Sequence, residues 1–467
     1  MKKPPMKNSS IKNQVINNLT RRSFLASSLR AALFGAYAVN STAMAQSAPW
    51  RNWSGGLSCQ PQGRHDISSE DQLVEILRST SGPLRPVGSS HSFSPLIPTD
   101  GHLVVIDQLN GILDYDNNSM EATLGAGSRL GDLGAPLNAI GQGMLNLPDI
   151  DRQTIAGATA TGTHGTGLNF NSLSGYITAL RLITAEGNVM DIDANDGDLF
   201  DAARVNVGAL GVVTQIRMQN RAAYKLKKRE WTAPTEDILA DFDELAANHR
   251  HFEIFPLVYS DYSLVLQIDE SDEPIGQTII PAEEVTLSDL RPLGVNATPT
   301  EKLAMNNAVA ANAEVSEAVD LSYNLLSNVR SNPFNEMEYS VPAEVGAECV
   351  REILKTIYDQ AIDVAFPLEY RYVKPESPWL SMAYGDEPHA TISIHRTARE
   401  DYRPYFDIIE PIFWKYGGRP HWGKIHSLSH VELSQLYPRY RDFMEVRESL
   451  DPNGRMLNEH LKKLFNA

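Results

Sequence analysis

Between Ser68 and Thr80, the apolar residues of SSEDQLVEILRST recur at helical spacing, and Ser68 or Ser69 stands where an N-cap belongs. The next apolar runs are shorter and predict strands: HLVVID (102–107), EATLGAG (121–127), ALRLITAEGNVMDI (179–192) and GVVTQIRMQ (211–219). The turn from Ala185 to Asn188 closes a hairpin within the third of these. SRLGDLGAPLNAIG (128–141) predicts a helix ended by glycine. Residues 66–222 therefore read as an α+β domain with many glycine-rich connections.

The pattern changes at about 223, where segments lengthen and the glycine-rich loops stop. Residues 281–330 are rich in Ala, Glu and Asn, show little β character and predict surface helices. EMEYSVP (336–342), PLEYRYV (367–373) and HATISIHR (389–396) predict strands of a second sheet, with period-two alternation clearest in ISIHR. A turn at Pro452, Asn453 and Gly454 precedes a short amphipathic helix. The chain shows no internal repeat and no low-complexity tract.

The first 45 residues stand apart. They carry seven Lys and Arg and no acid, followed by a moderately apolar run and a small-residue site, AMA, before Gln46. TRRSFL, with Arg21 and Arg22, resembles a twin-arginine export signal, which implies export to the periplasm or beyond by that machinery. An ordinary secretory signal or a weak anchor is the plainer alternative. Cleavage would take the net charge from −17 to −24. That acidity argues against nucleic acid as a partner. No later stretch of about eighteen apolar residues appears, so no stable membrane insertion is expected after cleavage. Cys59 and Cys349 have no metal or redox spacing; they could pair, or remain two buried thiols. No metal site is expected.

Two stretches concentrate small residues around a histidine: RPVGSSHSFSPL (85–96), with His91, and TIAGATATGTHGTG (154–167), with His164. Small residues let backbone N–H groups approach an anionic ligand, and glycine supplies positive φ. Neither stretch is a Walker loop or a dinucleotide fingerprint opening a βαβ unit. Together with VNVGALGVVTQI (205–216), they resemble the FAD domain of vanillyl-alcohol-oxidase-type flavoproteins. EMEYSVP, LEYRYV and RPHWGKIHSL (419–428) are similar to the aldonolactone and sugar-alcohol oxidoreductase branch of that group. The resemblance runs from Trp50 to the C-terminal helix.

The resemblance implies an α+β fold: a two-subdomain FAD-binding domain (46–222), an α+β cap domain with an antiparallel sheet (223–445), and a C-terminal segment (446–467) packing back on the FAD domain. It implies FAD attached through His91, the alternative being a loop histidine hydrogen-bonded to the flavin. Many members have glycine where Ser90 stands. The implied cofactor-binding residues are Pro86, Val87, Gly88, Ser89, Ser90, His91 and Ser92 in the first loop. The second loop adds Gly157, Ala158, Thr161, Gly162, Thr163, His164 and Gly165, and a strand-turn adds Gly211 and Val213, with Gly208 nearby. His164 equally fits a residue that only fixes its loop.

On the substrate side, Glu369 and Arg371 lie two apart on a strand and share a face, which the sequence reading lines with Leu368, Tyr370 and Tyr372. Buried charges there are costly unless paired, and a structural salt bridge is the plain alternative. The resemblance implies a Glu–x–Arg pair at the flavin, with Lys424 of HWGK and, more weakly, His395. A surface lysine and a satisfied core histidine are the plain readings of those two. The implied reaction is hydride transfer from an alcohol carbon of a sugar lactone or polyol to the flavin, with oxygen favoured as acceptor. A quinone- or cytochrome-linked dehydrogenase, an oxidase of a non-sugar alcohol or amine, and a non-catalytic flavin-binding envelope protein are the alternatives.

Overall fold

A computed structural model of the chain describes residues 48–276, 297–328 and 330–467. The segment read as an export signal lies outside them, as does the 277–296 part of the Ala-, Glu- and Asn-rich stretch.

Helix Glu70–Ser79 begins at Ser69, whose hydroxyl accepts from Gln72 N at 3.2 Å. Its Leu73 and Leu77 pack with Ile67, Leu84, Val104 and Ile106. They cover a three-stranded parallel sheet in the order Gly63–Asp66, His102–Val105, Leu84–Val87. The central strand is a continuous apolar run, as burial between neighbours on both sides requires. A six-stranded antiparallel sheet follows, ordered Val189–Asp193, Ile177–Ile183, Val212–Ala222, Glu121–Gly125, Ile112–Asp116, with Gln142–Met144 on the far end of the long strand. The hairpin at 185–188 and the helix Leu130–Ala139, followed by Gly141 at φ +84°, match the sequence expectation.

The third sheet has eight antiparallel strands: Ser316–Leu321, Lys225–Pro234, Tyr262–Glu270, His251–Pro256, Glu369–Val373, His389–Thr397, Phe334–Pro342 and Arg419–Pro420. Its apolar face carries Tyr339, Tyr370 and Ile392 and is covered by helices Ala343–Asp359 and Arg403–Lys415. Tyr339 stacks on Phe413 at 4.8 Å. Each fully buried Phe, Leu or Ile on this side stabilises by about 1.5–3 kcal/mol. The opposite face is polar and also buried: Glu338 is 1% exposed and Glu336 is 3% exposed. Such a face must be compensated by pairing, or it would oppose folding.

One expectation fails. Ser316–Leu321, inside the stretch expected to be helical, is the edge strand of this sheet, whereas Pro299–Ala310 is a helix. An edge strand needs little β propensity when its neighbour holds it. Here Glu317 reaches Lys227 at 3.2 Å and Arg229 at 3.6 Å across the pairing.

Residues 455–458 return to the first sheet. Leu84 N donates to Arg455 O at 2.7 Å, and the Arg455 guanidinium reaches Leu77 O, Thr80 O and Ala185 O. Asn458 Nδ2 donates to Pro95 O and Pro98 O. Cys59 and Cys349 are both free thiols, the first partly exposed and the second buried. Among the described residues no helix is long and apolar enough to cross a membrane.

Candidate active site

The two glycine-rich stretches face each other across a cleft open to solvent. Gly88 allows the approach, since a Cβ there would fall 2.1 Å from Thr154 Oγ1. The stitch is completed by Thr154 N, which donates to Ser89 Oγ at 3.2 Å. Thr154 in turn caps the short helix Ile155–Ala160, a helix the loop reading does not anticipate. The third wall is the turn before strand Val212–Ala222, where Val207 (φ +46°) and Gly208 (φ +67°) take left-handed backbone. A β-branched residue in that region is strained. Arg85, 1% exposed, holds the turn: its guanidinium donates to Val207 O and Gly208 O at 2.8 Å each, to Leu96 O at 2.7 Å, and to Met456 O.

Pro86 through Ser92 line the cleft, with Gly157, Thr161, Thr163, Gly208, Gly211 and Val213. Ala158, Gly162, His164 and Gly165 do not. Ala158 faces the core, and a Cβ on Gly165 would meet Leu147 O at 2.2 Å, so the chain there turns inward.

His91 is the one imidazole on the first loop. It stacks on Trp53 with ring centroids 5.1 Å apart, and its Nδ1 is buried without a hydrogen-bond partner among the described residues. Burial pushes its pKa down to about 4, helped by Arg129, Lys424 and Arg152, so the ring is neutral. Ser90 before it sits at φ +63°, a conformation suited to glycine. The serine is held there by its own contacts. Trp50 Nε1 donates to Ser90 Oγ at 2.9 Å, and Trp53 N donates to Ser90 O at 2.8 Å.

The polar face of the eight-stranded sheet meets this cleft at Lys424, which lines it and pairs with Glu336. Registers set Glu369 opposite Ser393, Glu338 opposite Ser393, Glu336 opposite His395, and Glu253 opposite Arg371. Arg371 Nη1 lies 3.0 Å from Glu369 Oε1 and 3.9 Å from Glu253 Oε2, and Nη2 lies 3.4 Å from Glu338 Oε2. Its Nε is buried and has no partner among the described residues. Leu368, Tyr370 and Tyr372 are not on this face. The period-two pleat turns them to the apolar side, where Tyr370 and Tyr372 pack on Phe242.

Four carboxylates share the face with Arg371 and Lys424, and their ionisation is uneven. Burial raises Glu369 to about 7, with Glu253 and Glu336 adding to it against Arg371. Burial also raises Glu253. For Glu336 burial opposes ionisation, yet Lys424 and His395 overcome it and hold the carboxyl at about 2. Glu338 is likewise held well below the carboxylate range, by His164 and Arg371 against burial. Atoms of Glu336, Glu369 and His395 lie within 4.8 Å of one another. The sequence reading singles out Glu369, Arg371, Lys424 and His395; it misses Glu253, Glu336, Glu338 and His421. His421 lines the cleft, and its Nδ1 accepts from Gly423 N at 2.9 Å. Burial takes its pKa to about 3. The one available signal was two glutamates alternating with large apolar residues in EMEYSVP.

The residues present fit a flavin: a narrow cleft walled by glycine and small hydroxyl residues, ending at a neutral histidine with an orphaned nitrogen. The comparisons agree. The sequence profile of the FAD binding domain matches residues 63–193, and that of D-arabinono-1,4-lactone oxidase matches residues 216–464. L-gulono-1,4-lactone dehydrogenase of Mycobacterium tuberculosis is 33% identical over 426 residues, covering 89% of this chain and 99% of that protein. L-gulonolactone oxidase of Scyliorhinus torazame is 28% identical over 89% of this chain and 98% of its own length. In fold, the chain is similar to cholesterol oxidase from Brevibacterium sterolicum, with TM-score 0.72 and 15% identity over 89% of this chain and 96% of that one.

Proposed function

This chain belongs to the D-arabinono-1,4-lactone oxidase family and is an FAD-linked oxidoreductase; from that premise we propose that it oxidises an alcohol carbon of a sugar lactone or polyol. Bound FAD would accept hydride from that carbon, and we take oxygen as the acceptor that reoxidises it, with release of hydrogen peroxide. The observation that carries this reading is the junction at Lys424. One lysine belongs at once to the cofactor cleft and to a buried carboxylate–arginine face suited to polar substrate oxygens.

In this reading Arg371 offers its unpartnered Nε–H to a substrate oxygen while its two terminal nitrogens stay with carboxylates. Lys424 supplies positive charge where negative charge develops. Glu369, near neutral pKa, receives the hydroxyl proton, with His395 beside it as an onward acceptor. Holding the carbon in position is worth on the order of 7–11 kcal/mol of barrier in well-oriented systems. His91 carries the flavin covalently through its free Nδ1, a reading supported by that atom's burial and lack of a partner. The basic, acid-free segment with Arg21 and Arg22 supports export by the twin-arginine route to the periplasm or beyond.

The test is anaerobic bleaching of the flavin spectrum by aldonolactones and polyols; an unchanged spectrum across the panel overturns the proposal. Acid-precipitated protein should stay yellow, and His91→Ala protein should release its flavin on precipitation. Mixing reduced enzyme with oxygen decides the acceptor: reoxidation slower than turnover makes it a dehydrogenase. Fractionation of cells bearing Arg21→Lys with Arg22→Lys should find the protein retained inside.

A further inference from the structure

His164 sits on the cofactor-side loop yet turns away from the cleft, and Glu338 sits on the sheet with its side chain 1% exposed. Their meeting point leaves no slack. Glu338 Oε1 lies 2.7 Å from His164 Nε2, while Oε2 takes Ser393 Oγ at 2.8 Å and Arg371 Nη2 at 3.4 Å. The other ring nitrogen, Nδ1, lies 2.9 Å from Gly165 O. Both ring nitrogens thus have a partner, which fixes the direction of the ring. Against burial, His164 and Arg371 hold Glu338 well below the usual carboxylate range. One carboxylate thus ties together two side chains from different parts of the chain.

We propose that Glu338 is a positioning residue: it ties the glycine-rich loop, through His164, to the guanidinium of Arg371 and so fixes the direction of that arginine's free Nε–H. The alternative, packing alone, does not fit the contacts. Glu338 holds one terminal nitrogen of Arg371 and Glu369 the other, so the plane of the guanidinium is set by two anchors. Removing the Glu338 charge leaves Arg371 free to swing toward Glu369 and Glu253. It also leaves the His164 ring against an amide in place of the carboxylate that holds it. The effect on substrate rests on the sugar-oxidation reading above; the coupling between loop and arginine does not.

The test uses flavin-loaded enzyme and two variants, Glu338→Gln and His164→Gln, with their double mutant. Each single change should lower the rate of flavin reduction by lactone about 10- to 100-fold. The double mutant should be no worse than the poorer single one. Reoxidation of chemically reduced flavin by an artificial one-electron acceptor, which needs no contact with Arg371, should change less than about 2-fold, and flavin content should be kept. Multiplying effects in the double mutant, or equal loss in both half-reactions, would overturn the proposal. If Glu338→Gln fails to fold, Ser393→Ala removes one anchor of the same oxygen and should slow reduction about 3-fold. Independently of substrate, Glu338→Gln should shift the ¹⁵N resonances of the His164 ring, and Arg371→Lys should shift them too, through Glu338. Unmoved His164 resonances in both variants refute the coupling. Failure of every sugar to reduce the wild-type flavin, with the His164 resonances moving as expected, refutes only the substrate reading.

Discussion

Arg85→Met removes the guanidinium that holds the strained turn of the cofactor cleft while keeping a side chain of similar length. Four backbone carbonyls lose their donor: Leu96 O, Val207 O, Gly208 O and Met456 O. Burial lowers the arginine's pKa to about 9, so it is charged at neutrality and the lost hydrogen bonds are charge-assisted. A buried acceptor left without a partner costs about 1–3 kcal/mol. Four at the middle of that range come to about 8 kcal/mol, and relief from burying a cation returns several, about 5 kcal/mol. The net expectation is about 3 kcal/mol, placed locally. The assay is urea unfolding with and without added FAD, joined to hydrogen exchange. Protection should fall together at 205–213 and 455–458, while the apolar side of the eight-stranded sheet is unchanged, and flavin content should drop. A variant within about 1 kcal/mol of wild type that retains full flavin refutes the reasoning, because the turn would then hold itself.

Two further changes address single residues. Glu369→Gln should abolish a pH-dependent limb: the carboxyl must be ionised to take a proton and its pKa is raised to about 7, so wild-type kcat/KM should rise as pH increases through 7 and the variant should stay low and flat. A wild-type profile flat from pH 5.5 to 8.5 contradicts that role. Ser90→Gly relieves left-handed backbone worth about 1 kcal/mol and forfeits the Trp50 hydrogen bond, also worth about 1 kcal/mol. Thermal unfolding should therefore move by less than about 1 kcal/mol, with covalent flavin retained; loss of the linkage would show that the serine serves His91.

The strands and hairpins were legible because their apolar periods are local properties, and the glycine-rich stretches were legible because small residues clustered around a histidine are uncommon. What was not legible depends on layers. EMEYSVP alternates as a strand with one wet face would, and nothing within seven residues says that a second layer covers Glu336 and Glu338. The side taken by Tyr370 and Tyr372 follows from the pleat alone and needed only consistent counting. By sequence His164 fits a cleft residue and a residue that only fixes its loop equally well; the choice is made by Glu338, 174 residues away, which sets the direction of its ring. Ser316–Leu321 escaped because its pairing with Lys225–Pro234 supplies the order its own composition lacks.

The carbonyl of Met456 on Arg85 has a consequence in time. Residues 85–96 and 154–167 leave the ribosome long before one acceptor of the arginine that braces the cleft, 371 residues further along the chain, is made. Until then the pocket wall has a loose corner, and flavin capture on a nascent chain should be weak. The finished cleft is thus a record that synthesis has passed residue 456, and a chain truncated before it should hold less flavin.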